Sequence, residues 1–397
     1  MSSSSQQQVQ EYTTLQVTNN FTHEVNKFYI KEYKRLGQGA FGVVSKAYMV
    51  NIDKHNENAN KKQSEGENSS SSTEWEGPFA VKRVLAQTEY KSRELDILKV
   101  TSHPNIIKLH YYFTDFVLTK DKNNPSGLNS GVPGYSKNLY LHLCMECLPQ
   151  TLQQEITRHN KQQTTISKFK IKTYSFQLLK GMSYLHNTNI CHRDIKPSNV
   201  LIDPQSLLLK ICDFGSAKQL DNYPSISYIC SRFYRAPELI LGKTQYAVNI
   251  DNWSIGCVIG EMLLGKTIFQ GNDPILQLRE ISKLLGPPDK RFVFLSNPGY
   301  DGPLFSEKLF SGSVRERFES VFKVLKNDAE GIDLLMGLLC YDPDKRLSCL
   351  DAMCSDWFNE LKKVDSIEDC KLPKELFVFT EYDKLVLGEE RVKKLTE

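Results

Sequence analysis

The sequence has no uninterrupted apolar run near the roughly 18 residues that a membrane-spanning helix needs. It also has no block of charge of one sign, because 50 Lys and Arg are scattered among 47 Asp and Glu. We therefore expect neither a membrane nor a nucleic acid as a partner. The N-terminus has no apolar signal segment, so we interpret the ten cysteines as reduced thiols of a cytoplasmic protein that can also enter the nucleus.

Cys144 and Cys147 have the spacing of half a zinc site, but no second pair follows nearby. Zinc needs four ligands, and both residues fall in an apolar run. We interpret them as cysteines of a β-strand.

The length of 397 residues, 40% of them hydrophobic, is enough for two lobes around a cleft. Residues 1–28 are predicted to form a disordered polar tail, since the first 20 residues contain no Lys or Arg. Two polar stretches of low complexity, 51–73 and 120–137, predict solvated insertions. The main domain is expected over 33–358, with a first lobe at 33–146, a second at 149–358, and a C-terminal extension at 359–397.

Apolar periodicity predicts an α+β fold. The first lobe is expected to be a small sheet with one helix: a hairpin over 33–50, strands at 79–84, 108–116 and 139–147, and a helix capped by Thr88 that ends near Val100. Strands at 200–202 and 208–212 are expected in the second lobe, which is otherwise dominated by helical patterns such as 168–186 and 249–264.

Two glycine patterns resemble phosphate-binding loops. Gly37-Gln38-Gly39-Ala40-Phe41-Gly42 fits the dinucleotide fingerprint, but the residues after it are β-branched and alternating rather than helical. The glycines are therefore expected at the tip of a hairpin that can cover phosphates. The Walker-like run from Gly260 to Thr267 is rejected, because it ends an apolar helix and has bulky residues inside the turn.

Six motifs follow one another along the chain. They are the glycine loop, Ala80-Val81-Lys82, Glu94, His192-Arg193-Asp194 with Asn199, Asp213-Phe214-Gly215 and Ala236-Pro237-Glu238. Their order and spacing resemble the protein-kinase signature set.

That resemblance implies phosphoryl transfer from ATP with Mg²⁺. Lys82 is expected to bind the ATP phosphates and Glu94 to hold it by an ion pair. Asp213 and Asn199 are the expected metal ligands. Asp194 is the candidate to accept the substrate hydroxyl proton, and Lys196 to neutralise the transferred phosphate.

An apolar slot for adenine is expected beside the glycine loop. Val44, Ala80 and Leu201 can form its walls. The predicted ATP contacts along the loop are Leu36, Gly37, Gln38, Gly39, Ala40, Phe41, Gly42 and Val43.

Three longer stretches, 191–199, 211–220 and 227–238, resemble the glycogen synthase kinase 3 family of serine/threonine kinases. The resemblance covers about 33–358 and implies a bilobal kinase fold, with a β-rich N-lobe and a larger, mainly α C-lobe. It also implies that Met145 limits the back of the ATP pocket, while Glu146 and Leu148 offer backbone groups to adenine. A monomer is expected, and scaffold proteins are allowed as partners.

Three cations, Arg93, Arg193 and Lys218, lie beside three of the predicted active-site acids. They would repel one another unless an anion joined them. In the family, the equivalent pocket takes a phosphate already present on the substrate, four residues C-terminal to the target. The alternative is that phospho-Ser225 or phospho-Ser227 fills the pocket from within the chain.

Tyr228 corresponds to the activation-loop tyrosine that family members phosphorylate on themselves, and its phosphate could pair with Arg232 or Arg235. The alternative is an unmodified, packed aromatic.

Two departures from the family are also visible. Ser2–Ser5 have no preceding Arg or Lys, which argues against inhibition by phosphorylation of an N-terminal serine. Residues 292–326 do not match the loop beside the scaffold-binding groove of the family, which argues against the family's usual scaffold partners.

Two other functions are disfavoured by particular residues. A cyclin-dependent kinase would need a cyclin-facing sequence in the Glu94 helix, which is missing. A pseudokinase scaffold would have lost Lys82, Asp194 or Asp213, and all three are present. The kinase prediction requires that Lys82, Asp194 and Asp213 converge on one nucleotide.

Overall fold

The computed structural model describes residues 14–39, 42–53, 75–86, 92–221, 223–303, 311–364, 366–367 and 370–396. The chain divides into two compact units. The first contains 1–101 and 108–147, and the second contains 102–107 and 148–397. The predicted α+β class is confirmed, since the first unit is mainly strand and the second mainly helix.

The first unit is a closed six-stranded barrel with strand order β1-β2-β3-β4-β6-β5. The strands are β1 (Thr14–Asn19), β2 (Val25–Gly39), β3 (Gly42–Asn51), β4 (Glu76–Leu85), β5 (Leu109–Lys120) and β6 (Tyr135–Glu146). The one helix of eight or more residues described in this unit, α1 (Arg93–Val100), follows β4.

Residues 14–28, predicted as disordered, form β1 and the start of β2. Val17 is fully buried and Phe28 nearly so, in a core shared with Met49 and Phe113. β1 pairs with β2 and also, through Thr18–Asn19, with β5. The prediction was wrong there, because this short strand is stabilised by partners that are distant in sequence.

The second predicted insertion, 120–137, is also shorter than expected. β5 and β6 stay paired out to Lys120 and Tyr135, so the loop covers only 121–134. Asn124 donates from Nδ2 to the Tyr135 carbonyl at 3.0 Å, and the Ser136 hydroxyl donates to Asp121 at 2.7 Å. Polar composition suggested a solvated segment, but these polar groups bind one another.

The start of α1 differs from the prediction. Ser92 is its N-cap and accepts from the Leu95 N–H at 3.3 Å. Thr88, the predicted cap, lies outside the described residues, as do residues 54–73 of the first predicted insertion. The end at Val100 agrees with the prediction.

The second unit contains ten of the described helices. They are α2 (Leu152–Lys161), α3 (Lys168–Asn187), α4 (Pro237–Ile240), α5 (Asn249–Leu264), α6 (Pro274–Leu285), α7 (Lys290–Ser296), α8 (Val314–Val321), α9 (Ala329–Leu338), α10 (Cys349–Met353) and α11 (Glu381–Thr396), the last kinked at Gly388. Short 3₁₀ segments lie at Pro197–Asn199, Phe214–Ser216, Arg232–Tyr234, Lys323–Leu325 and Asp356–Lys363.

Short strands complete this unit. They are β7 (Gln150–Thr151), β8 (Ile190–Cys191), β9 (Val200–Asp203), β10 (Leu208–Ile211), β11 (Lys218–Gln219), β12 (Ser366–Ile367) and β13 (Cys370–Lys371). β9 pairs with β7 and β10, and β8 pairs with β11. The loops that follow β8, β9 and β10 therefore each begin at a strand that is hydrogen-bonded to another strand.

Helix α5 is buried on all sides, as its mostly apolar sequence predicts. It ends at Leu264 with Gly265 in the left-handed region, φ 70°. The Walker-like run is thus the end of a buried helix, as inferred. No helix of the described residues is long and apolar enough to span a bilayer.

Candidate active site

The glycine-rich hairpin joins β2 to β3 in the first unit. Gly42 has φ +137°, and a Cβ there would lie 2.1 Å from the Arg83 carbonyl oxygen, so only glycine fits. A Cβ added at Gly37 or Gly39 would meet no other residue within 4 Å, so the backbone at both positions is open to a ligand. Ala40 and Phe41, two of the predicted ATP contacts, lie outside the described residues.

Lys82 and Glu94 form the predicted ion pair. Lys82 Nζ donates to both Glu94 carboxylate oxygens, at 2.7 and 2.8 Å, and both side chains are buried. Glu94 is the second residue of α1, and the first residue, Arg93, is exposed. The pair holds the lysine ammonium in one place, which a phosphate-binding lysine on a flexible stem requires.

The predicted adenine-slot residues of this unit lie on neighbouring strands. Val44 is opposite Lys82, and Ala80 is opposite the buried Met145. The Glu146 N–H donates to the Lys108 carbonyl at 3.1 Å, so the carbonyl is the backbone group that Glu146 could offer to adenine. Leu36 is partly exposed at the hairpin.

The remaining residues predicted to contact ATP lie in the glycine-rich hairpin and in the second unit. Gln38 accepts from Arg35 in the hairpin, where Val43 is half-buried. Leu148 and Leu201 belong to the second unit and are both half-buried.

The Asp194 carboxylate is the centre of a hydrogen-bond network in the second unit. Oδ1 accepts from the N–H and hydroxyl of Ser231, at 3.0 and 2.8 Å. Oδ2 accepts from Lys196 Nζ at 2.8 Å and from Asn199 Nδ2 at 3.1 Å. These donors fix the orientation of the Asp194 carboxylate, as a proton acceptor requires.

The backbone of the loop is held by Asp251, a fully buried residue of α5. Its carboxylate accepts from the N–H groups of His192 and Arg193, at 2.8 and 2.9 Å. Burial raises the pKa of Asp251, but a hydrogen bond and the charge of His186 outweigh it and leave the pKa below its ordinary value. The charged form therefore fixes Arg193 in its left-handed backbone conformation, φ 64°.

Asp213 follows β10, as predicted, and also has a left-handed backbone, φ 65°. The next residue, Phe214, is fully buried against the His192 ring. Asn199 uses its amide nitrogen on Asp194, so its Oδ1 is the oxygen that could bind a metal. An amide oxygen and a carboxylate, completed by phosphate oxygens, fit Mg²⁺.

Comparison with known proteins agrees with these motifs. The protein kinase domain family matches residues 30–358. Protein kinase MCK1 of Saccharomyces cerevisiae is 50% identical over 386 residues, covering 96% of this chain and 93% of that protein. Serine/threonine-protein kinase RIM11/MSD1 of the same yeast is 44% identical over 288 residues, or 72% and 71% of the two chains. Glycogen synthase kinase 1 of Pyricularia oryzae is 37% identical over 347 residues, or 87% and 76%.

This chain belongs to the glycogen synthase kinase 3 family. It is a protein serine/threonine kinase, and ATP and proteins are its substrates. The family assignment made from sequence is therefore confirmed. The roles of individual residues in this kinase stay predictions, supported by the geometry above.

The last signature motif of the kinase is a structural anchor. Both Glu238 oxygens accept from Arg346, at 2.9 and 3.0 Å, and both side chains are fully buried. This pair fixes α4 to the loop before α10. Helix α4 follows the activation segment, the stretch between Asp213-Phe214-Gly215 and Ala236-Pro237-Glu238. Removal of either partner would leave an uncompensated buried charge.

Tyr228 of this kinase is exposed, with the Arg235 guanidinium 4.4 Å from its ring centre. A hydrogen bond from Arg232, followed by the charge of Arg235, lowers the pKa of Tyr228. Both arginines therefore interact with this tyrosine, and their pairing with a phosphate on it stays a prediction.

The predicted priming-pocket cations are divided between the units. Arg193 is buried, with Nε donating to the Ser216 carbonyl at 2.7 Å and Nη1 to the Tyr246 hydroxyl at 3.2 Å. Lys218 donates to Asp221 and to the Ser225 hydroxyl, at 3.2 and 3.1 Å. Arg93 is on α1 of the first unit.

Sequence reasoning missed three residues of this kinase that the structure brings to the site: Ser231, Asp251 and Tyr246. Asp251 had a usable signal, since it is an acid in a mostly apolar, buried helix. Ser231 and Tyr246 had none, because a serine and a tyrosine in a polar loop are ordinary surface residues.

Proposed function

We propose that this kinase favours protein substrates that already carry a phosphate four residues C-terminal to the target Ser or Thr. The observation that carries the proposal is Arg193, which is 6% exposed and makes no ion pair with any residue in the described part of the chain. A buried guanidinium is costly unless an anion pairs with it. Its two present acceptors are neutral, so its charge is available to a phosphate.

Lys218 supports the same proposal. Its ammonium contacts Ser225, and Tyr246, which accepts from Arg193, donates to the carbonyl of the adjacent Ile226 at 3.1 Å. Arg193 and Lys218 thus reach the same short stretch of the activation segment. Two cations at one stretch favour a dianion over a neutral peptide. Arg93 as a third cation is a prediction from sequence alone.

For the chemical step, we propose that Asp194 accepts the proton of the substrate hydroxyl while Lys196 neutralises the transferred phosphate. Lys196 Nζ lies 2.8 Å from Asp194 and 2.9 Å from the Ser231 hydroxyl, so one ammonium serves both oxygens. Mg²⁺, held by Asn199 and Asp213, would supply charge neutralisation on the ATP phosphates.

Two peptides that differ only in the priming phosphate test the proposal. The wild type should phosphorylate the primed peptide with a kcat/KM at least about tenfold higher, the gain of a charge-assisted contact. Arg193→Ala should remove this preference, while Arg279→Ala, an exposed arginine of α6, should keep it. Asp194→Asn should lower kcat on both peptides by roughly 100-fold or more. Equal rates on the two peptides with the wild type would refute the priming pocket.

A phosphate on Ser225 is the second candidate for this pocket. The Ser225 hydroxyl already lies 3.1 Å from Lys218, so a phosphate there could pair with the same cation. In that case the purified active enzyme would carry phospho-Ser225 by mass spectrometry, and Ser225→Ala would lose activity on both peptides. Under the priming proposal, Ser225→Ala keeps its preference for the primed peptide.

We also propose a monomeric kinase of the cytoplasm that can enter the nucleus, with scaffold proteins among its partners. The nine cysteines whose side chains the structure describes are free thiols, in accordance with a reducing compartment. Fluorescence of a tagged chain in cells and light scattering of the purified protein would test location and oligomeric state.

A further inference from the structure

Tyr246 links Arg193 to the activation segment through one hydroxyl group. It lies in the loop between α4 and α5, where its hydroxyl accepts from Arg193 Nη1 at 3.2 Å. The same hydroxyl donates to the Ile226 carbonyl at 3.1 Å. A hydroxyl has one proton to donate, so this arrangement uses it on the segment and leaves the oxygen for the arginine.

The same loop binds the segment a second time. The Ser225 N–H donates to the Thr244 carbonyl at 2.8 Å, and the Ser225 hydroxyl accepts from Lys218. Two neighbouring residues of the activation segment are therefore held by two residues of one loop. The stretch beside both cations has a defined backbone position.

Arg193 is oriented from two sides. Nε donates to the Ser216 carbonyl and Nη1 to Tyr246, which fixes the plane of the guanidinium and leaves Nη2 for another acceptor. A guanidinium group binds phosphate more tightly when its orientation is fixed before binding, because ordering it on binding costs conformational entropy. Without the Tyr246 hydroxyl, only the Ser216 contact would orient Arg193.

We propose that Tyr246 is a positioning residue for substrate recognition, which orients Arg193 and holds Ser225-Ile226 so that the site binds the phosphate of a primed substrate. This inference rests on the proposed preference for primed substrates. It assigns a specificity role to a residue outside the kinase signature motifs. Tyr246 acts through Arg193 and does not itself contact the reacting atoms.

The protonation state of Tyr246 agrees with this role. Burial raises the pKa of its hydroxyl, although the Arg193 contact partly offsets this. The group therefore keeps its proton near neutral pH and can donate to Ile226. Its oxygen remains a neutral acceptor, which does not compete with a phosphate for the arginine charge.

Tyr246→Phe tests the inference, because it removes the hydroxyl and keeps the ring. The full-length variant is assayed with the matched primed and unprimed peptides. KM for the primed peptide should rise by about fivefold, as expected for one lost hydrogen bond, with kcat and KM for ATP within twofold. Values for the unprimed peptide should change less than twofold. Tyr223→Phe, which removes a hydroxyl from a largely exposed tyrosine of the activation segment, is the matched control and should behave as wild type.

The possible results separate the two proposals. If the wild type prefers the primed peptide and Tyr246→Phe keeps that preference in full, the role of Tyr246 is refuted while the priming pocket stands. If the kcat/KM of the variant falls equally on both peptides, Tyr246 has only a general structural role and the inference is also refuted. If the wild type itself shows no preference, the proposed function fails, and this inference fails with it.

Discussion

At the scale of single residues, two buried histidines of this kinase, His192 and His103, each accept a backbone N–H hydrogen bond on Nδ1. His192 accepts from the Asp194 N–H on Nδ1 and faces the Cys212 carbonyl with Nε2 at 3.0 Å, which requires the proton on Nε2. His103 uses Nδ1 to accept from the Asn105 N–H at 3.0 Å and stacks on Tyr184. Protonation of His103 on Nδ1 would break the hydrogen bond that orders the adjacent Asn105 backbone.

His103 should make the stability of the kinase depend on pH. Burial lowers its pKa to about 4, although Asp383 nearby opposes the shift and Lys180 and Lys210 add to it. The unfolded chain, with a pKa near 6.5, therefore binds more protons between these values, so the free energy of unfolding falls as pH decreases from about 6.5 to 4. Its contribution is at most about 3 kcal/mol.

Urea unfolding at several pH values measures this effect. His103→Asn, which keeps an acceptor near the Asn105 N–H, should reduce the slope between pH 6.5 and 4.5 without abolishing it. Part of the remaining slope comes from His142, whose pKa burial also lowers to about 4. His23→Asn, at an exposed turn, is the control. Equal slopes for wild type and His103→Asn would contradict the prediction.

At the scale of elements, the C-terminal segment 373–396 packs on α3. Lys180, buried in the middle of α3, donates to the carbonyls of Glu375, Leu376 and Val378, at 2.8, 3.4 and 2.6 Å. Burial lowers the pKa of Lys180 to about 8, against the charges of Asp383 and Glu375. Leu376 is 3% exposed, so the segment contributes apolar surface as well as polar partners to this unit.

Two leucines of this segment should therefore differ sharply in their contribution to stability. Leu376→Ala removes a buried side chain and should lower the free energy of unfolding by about 2–5 kcal/mol. Leu385→Ala, at an 81% exposed position of the same segment, should change it by less than about 0.5 kcal/mol. Chemical denaturation of both variants measures the difference. Similar midpoints would show that the segment does not pack on α3 in solution.

At the scale of the whole molecule, each unit carries a share of the predicted nucleotide ligands. Lys82 belongs to the first unit and Asp213 to the second. Their binding to one nucleotide is a prediction from the motifs, and it can be tested without catalysis. A non-hydrolysable ATP analogue with Mg²⁺, at 100 times its Kd, should stabilise the folded kinase by about 2.7 kcal/mol.

Single variants decide whether both residues contribute. Lys82→Met and Asp213→Asn should each reduce the stabilisation by the analogue at a fixed concentration. The Asp213→Asn effect should depend on Mg²⁺ and vanish with EDTA, because Asp213 is the predicted metal ligand. If either variant kept the full shift of the melting temperature, that residue would be excluded from the nucleotide site.

Local sequence patterns were enough to identify the kinase motifs, the family and the long buried helices. A motif such as His192-Arg193-Asp194 or Asp213-Phe214-Gly215 is identified by residues adjacent in the chain, and α5 by a mostly apolar run of 16 residues. The ion pair of Lys82 with Glu94 was also predictable, because each residue has a fixed place on a strand or helix.

The distant residues that complete the site became visible only in the folded chain. Ser231 donates a hydrogen bond to Asp194, 37 residues away in the sequence, and Asp251 accepts one from the Arg193 backbone, 58 residues away. β1 is likewise a strand because β2 and β5 pair with it, although its own sequence is polar. Local patterns encode local structure, but hydrogen bonds between distant segments depend on how the whole chain packs, which no short stretch of sequence specifies.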